Sequence, residues 1–244
     1  MSAQQNRGDE LVEQILADGA GDGKAPNELL NECFDGYPLD NLVPLLRSDS
    51  DEVVRAGAFI VEELAVKSRS LMPEIMRLLG HRDRWVKSDM LDAVLLAATA
   101  QDGEAIARAI ELVNDPDRDI AKHAFKLVAR ADREQLGAAA PHIADSGLSA
   151  NLSWILNNEE SVDDDAEVAA KIEDQDSLTR WVGCVAAVRR YLRNPGLLNT
   201  AAESSDEDLR AFAENEREWL EYMKRRKEKR RERAHRRNSG DRAP

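Results

Sequence analysis

The chain is poor in aromatic residues, which make up 5% of its 244 positions, and it has only two cysteines, Cys33 and Cys184. Two cysteines build neither a disulfide framework nor a four-thiolate zinc site. Thirteen glycines and eight prolines are too few for the frequent tight turns of a sandwich or barrel. The apolar residues are mostly Leu, Ala, Val and Ile, which suit helices. No apolar run approaches the ~20 residues that cross a bilayer, so membrane insertion is not expected. The first residues, MSAQQNRGDELVEQ, lack the basic and apolar regions of a secretory signal, and a cytoplasmic protein is expected. Also missing are HExxH, GxSxG, CxxC, P-loop and GxGxxG signatures, and the four histidines, His81, His123, His142 and His235, fall in four separate elements. No catalytic residue, metal ligand or cofactor is therefore assigned.

Charge, by contrast, is plentiful and uneven. The formal net charge is −13, but Lys224–Pro244 holds eleven Lys and Arg against Glu228, Glu232 and Asp241, a local +8 that leaves −21 on the preceding residues. An acidic body repels nucleic acid and anionic lipid, so neither suits it as a partner.

What the chain has is an internal repeat. Leu46, Leu79 and Val113 each stand seven residues before Val53, Val86 and Ile120, at a period of 33 to 34 residues. Such a period marks a stack of identical supersecondary units. Each unit reads as two amphipathic helices. The first carries apolar residues at i, i+3, i+4 and i+7, as in Leu39, Leu42, Val43 and Leu46, or Met72, Ile75, Met76 and Leu79. A polar loop follows and ends in Ser50, Asp83 or Asp117, each placed to cap the second helix. That helix is expected to bury Val53, Ala58 and Val61, then Val86, Leu91 and Val94, then Ile120, Phe125 and Val128. Each helix is short and hides one face, so neighbours must supply the missing burial.

These segments resemble the HEAT-repeat family. Leu112–Ala129 (LVNDPDRDIAKHAFKLVA) is closest to its pattern of an apolar pair, an Asp-Pro-Asp turn and a second-helix start, and Leu45–Ala65 is nearly as close. Leu78–Ala98 keeps the apolar register with a divergent turn. The resemblance spans Leu39–Arg133 and implies an all-α fold, an α-solenoid of about five stacked antiparallel helix pairs. The family often pairs an Asp with an Arg across adjacent repeats; here the Arg position holds Val54, Lys87 and Ala121, so that ladder is expected to be mostly absent.

The expected organisation is N-terminal helices or cap at 1–38, three repeats at 39–133, degenerate repeats at 134–200, a C-terminal helix at 201–223 and a basic tail at 224–244. Glu159–Asp165 reads as an acidic connector. Trp154, Trp181 and Trp219 lie on apolar faces and read as core.

The candidate contact residues come from repeat registration. Trp85 aligns with Glu52 and Asp119, which are solvent positions, and has Arg84 beside it; it reads either as an interface anchor or as filler over the Gly80 loop. On the second helices the exposed face is expected to carry Arg55, Asp92, Lys122, Lys126 and Arg130, mixed or acidic in the first repeat and basic in the third. The tail cations Lys224, Arg225, Arg226, Lys227, Lys229, Arg230, Arg231 and Arg233 read as a solvated end, an electrostatic arm, or a segment that folds onto the acidic body. With no aromatics among them there is no base-stacking platform.

These features point to a non-enzymatic protein-interaction module that binds another protein, with an inhibitor or immunity-type role against a basic partner as an analogy of fold and charge. The alternative is nucleic-acid or ribosome association through the tail alone. An enzyme built on the array, such as a DNA glycosylase, ranks third.

Overall fold

The computed structural model describes residues 3–159 and 165–240; most of the expected acidic connector lies outside the described residues. The chain is an all-α solenoid of stacked helix pairs, with no strand among the described residues. It divides into two compact units, Met1–Leu156 and Asn157–Pro244.

In the first unit, α1 (Ala3–Asp18) and α2 (Lys24–Phe34) precede three pairs: α3 (Val43–Leu46) with α4 (Asp51–Glu63), α5 (Met72–Leu78) with α6 (Arg84–Ala97), and α7 (Gly103–Glu111) with α8 (Arg118–Arg130). A shortened fourth pair follows, α9 (Arg133–Ala139) and α10 (Ser146–Asn158). The first helices pack in one row, α3 on α5, α5 on α7 and α7 on α9, and the second helices in another, α4 on α6 and α6 on α8. Leu46 and Leu79 are fully buried and Val113 nearly so, with Val53, Val86 and Ile120 beside them. The 33–34-residue period is thus a period of burial. The first helices are shorter than the apolar pattern suggests, because 3₁₀ turns at Leu39–Leu42, Ala65–Leu71 and Ala100–Asp102 lead into them.

The cross-repeat ladder, expected to be mostly absent, is present, at the family position for Lys87 and in a shifted register for Arg55 and Arg84. Arg55, two residues past the anchor rather than one, pairs with Asp83 of the next repeat. Lys87 reaches Asp115 at 2.5 Å, and Arg84 reaches Asp119 at 2.6 Å. On the first-helix side, buried Glu74 accepts from Arg47 and Arg77, while Arg77 donates to the Leu46 carbonyl at 2.6 Å. Arg47 above all, with Arg77, holds the Glu74 carboxyl below its ordinary value against the opposing effect of burial.

The second unit packs α11 (Asp165–Ile172), α12 (Ser177–Arg189), α13 (Pro195–Ala202) and α14 (Glu207–Gly240) around a core of Val168, Val182, Val185, Val188, Leu198 and Leu209. Trp181 packs against Phe212 with the rings tilted by 60° and their centroids 5.1 Å apart. Helix α13 has no counterpart in the sequence reading: eight residues opening on Pro195-Gly196 resemble a loop, yet Pro suits the first turn and the Asn194 side chain accepts from the Gly196 amide at 3.0 Å. Helix α11 crosses α12 at Gly183, where an added Cβ would stand 2.7 Å from the Ile172 nitrogen.

Two stability outcomes follow. Val94→Asp places an unpaired charge at a site 1% exposed, between α6 and its neighbours, and is expected to abolish the cooperative melting of the first unit. Gly183→Ala forces α11 away from α12 and is expected to cost about 1–3 kcal/mol in denaturant unfolding, since the obstructing atoms are backbone.

Candidate protein-interaction face

Helix α6 presents its outward face because of how it starts. Asp83, in extended conformation at the N-cap, accepts from the Trp85 amide at 2.8 Å and the Val86 amide at 3.4 Å. Burial opposes ionisation of Asp83, but Arg55 and the two amides outweigh it and depress the pKa. Asp117 caps α8 in the same way through the Asp119 amide. Ser50 makes no such bond; the Ser48 hydroxyl accepts from the Ser50 amide instead.

With the start fixed, Val86, Met90, Leu91, Val94 and Ala97 turn inward. Trp85, Asp89, Asp92 and Leu96 then fall on one outward face, at i, i+4, i+7 and i+11. Trp85 is 59% exposed and Leu96 46%, some 16 Å apart along the axis at 1.5 Å per residue. Arg84 lies over the Trp85 ring at 5.4 Å while pairing with Asp119. The indole is therefore steadied by a cation on one side and open to solvent elsewhere.

The other contact candidates are brought to this neighbourhood but are engaged. Arg55 pairs with Asp83. Lys122 pairs with Asp119 at 2.7 Å, and Lys126 with Asp92 at 2.9 Å. Arg130 closes α8 and is half-buried. The expected rise toward a basic third repeat is thus largely neutralised by ion pairs. Lys224–Arg231 are exposed along α14; the side chain of Arg233 lies outside the described residues.

Two features escaped the sequence reading. His123 joins Asp92 at 3.0 Å and the Ser88 hydroxyl at 2.9 Å. These residues lie one repeat apart, so neither local spacing nor a motif marks them. The row has the order of a nucleophile relay. Lys126, however, shares both Asp92 and the His123 ring nitrogen, the latter at 3.2 Å, and the group ties α6 to α8. The backbone around Ser88 and His123 lies within α6 and α8, whose interior amides are engaged in the helices. The Asp92 carboxyl, raised by burial, is brought below its usual range by His123 and Lys126.

The second feature is Asp89. No cation or hydrogen-bond donor among the described residues partners it, and burial, with Glu62, Asp92, Asp83 and Glu63 nearby, lifts its pKa from 3.8 to about 7. Glu62 on α4 is shifted upward as well, by burial and then Glu63 and Asp92. Both thiols are pushed up by burial, Cys33 to about 11, and stay protonated at neutral pH. Among the described residues no group of three or more His, Cys, Asp or Glu is arranged to hold a metal, and no helix is long and apolar enough to cross a membrane.

No protein-family model matches the chain, and no curated protein matches it in sequence. In structure it is similar to an engineered protein at TM-score 0.49 and 14% identity, over 86% of this chain and 67% of that one. A second engineered protein aligns at 0.46 and 16%, over 85% and 93%. A designed armadillo repeat protein in complex with the peptide (KR)4 aligns at 0.46 and 14%, over 89% and 99%. Similarity of this degree carries no inference about what this chain binds.

Because the Asp89 carboxyl titrates higher when folded than when unfolded, the folded chain holds more protons between pH 3.8 and about 7, and stability falls as pH rises through that window. Asp89→Asn is expected to stabilise the chain at pH 8 by about 1–2 kcal/mol, discounted for partial exposure, with little change near pH 3. Thermal melts at both pH values check this; an equal change at both would place the effect in packing rather than charge.

Proposed function

We propose that the chain is a non-enzymatic protein-interaction module of the HEAT type, and that its contact surface is the outward face of α6 with the flanking parts of α4 and α8. One observation carries the reading: an exposed aromatic and an exposed aliphatic side chain, Trp85 and Leu96, bracket Asp89 and Asp92 on a single helix face. A large aromatic held rigid at low entropic cost is the usual anchor of a protein interface. The partner that fits is basic and amphipathic. A Lys or Arg set against Asp89 and Glu62 would restore the ionised carboxylates that burial and mutual repulsion now disfavour. An inhibitor or immunity-type role toward such a partner agrees with the acidic body. The HEAT assignment is supported by the Asp115-Pro116-Asp117 turn, in which Asp115 receives Lys87 from the preceding repeat while Asp117 caps α8.

The exposed cations of α14 support a second reading, nonspecific contact with nucleic acid. Truncation after Met223 separates the two. A protein partner captured by the first face is expected to be retained by the truncated chain and weakened about tenfold or more by Trp85→Ala, with the melting temperature unchanged. Retention by Trp85→Ala and Leu96→Asp alike would remove this face from the interaction.

A further inference from the structure

The apolar stripe of α14 outruns the core it packs on. Leu209, Phe212 and Ala213 are buried, and Glu216 beside them is enclosed. One turn later Trp219 and Leu220 are half-buried, and Met223 is exposed. Leu192, just past the end of α12, is 78% exposed. Its neighbour Tyr191 is buried and donates from its hydroxyl to Glu221 at 2.5 Å, which clamps the end of α12 against α14. Leu192, Trp219, Leu220 and Met223 consequently share the floor of a groove of about 650 Å³. Trp219, expected in the core, is half-buried and lines this open floor.

Above the floor the groove is lined by cations. Lys224, Lys227 and Arg231 lie at i, i+3 and i+7 on α14 and turn toward it, while Glu228 is the single acid on the lining. From Lys224 to Glu232 there are seven Lys and Arg against two Glu. An apolar floor under a cationic rim selects both features in one occupant: apolar anchors on one side and carboxylates flanking them.

We propose that this groove docks an acidic amphipathic helix of another protein, anchored by Leu, Phe or Met side chains on the floor formed by Leu192, Trp219, Leu220 and Met223. The occupant lies along α14 with its Glu and Asp residues against Lys224, Lys227 and Arg231. Shape and charge choose it over the other polyanions. An interfacial helix keeps its cations on the face opposite its apolar residues, whereas here Lys224, Lys227 and Arg231 line the same groove as Trp219, Leu220 and Met223. Nucleic acid would bring phosphates onto four apolar side chains that offer it nothing beyond one indole. A helix fills a groove with side chains spaced at i, i+3 and i+4, and Leu220 and Met223 at i and i+3, with Trp219 one turn before Met223, offer it a matching apolar strip.

The test uses the full chain and a fluorescein-labelled synthetic peptide with Leu and Phe at i, i+3, i+4 and i+7 and Glu on the remaining faces. A scrambled peptide of identical composition serves as control, beside phosphatidylcholine–phosphatidylserine vesicles and a DNA duplex. Fluorescence anisotropy is expected to show the amphipathic peptide bound about tenfold or more tightly than the scrambled one. Leu192→Asp, at a site too exposed to disturb folding, is expected to remove that advantage with an unchanged melting temperature. Lys227→Glu with Arg231→Glu should weaken binding and flatten its salt dependence. Equal binding of both peptides, or indifference to Leu192→Asp, would overturn the proposal. So would Leu192-dependent binding of the vesicles or the duplex in place of the peptide, or concentration-dependent self-association of the chain alone that Leu192→Asp abolishes.

Discussion

The carboxylate of Asp83 serves two helices at once. It takes the first free amides of α6, and it receives the guanidinium of Arg55 from the repeat before. A helix start leaves amides without intrahelical partners, and a neighbouring Arg needs a counter-charge; one side chain answers both needs. The joint fixes the rotation of α6 about its own axis, and that rotation decides which residues enter the core and which face water. Trp85 is outside because Val86 is inside. Asp117 repeats part of the arrangement one period later, with Arg84 reaching both it and Asp119.

Much of this was legible from the sequence, for a plain reason: apolar periodicity reports burial, and burial is what recurs in a stack. Leu46, Leu79 and Val113 could be aligned without coordinates, and Asp83 and Asp117 announced themselves as caps by residue type and place. Ser50 looked equivalent and stands at the N-cap in extended conformation, but its hydroxyl accepts no helix amide; the Ser48 hydroxyl accepts from the Ser50 amide, outside α4. The ion-pair ladder is only partly legible, because Lys87 alone keeps the family position one residue past its anchor. The chain uses two past for Arg55 and two before for Arg84, and long flexible cations reach their partners from either.

What stayed hidden is pairing between repeats and the ends of elements. His123 and Asp92 are 31 positions apart and share no motif. Asp89 stands three past its anchor, a position that alternates between core edge and surface according to helix rotation, which composition does not encode. Helix α13 begins on Pro-Gly, whose local preference is for turns; packing on α12 and α14 overrides it. Leu192 continues the apolar spacing of Val182, Val185 and Val188, yet α12 ends at Arg189 and Leu192 is left exposed. For α13 and Leu192 tertiary packing overrides a local signal; for His123, Asp92 and Asp89 there is no local signal to read.

Helix α14 has one further property that is kinetic. Beyond Met223 it buries no large apolar side chain, yet it continues to Gly240, seventeen residues that reach roughly 25 Å at 1.5 Å each. A charged rod of that length enlarges the capture radius of the molecule. An oppositely charged partner meets it before touching the body, and encounters are accelerated most at low ionic strength.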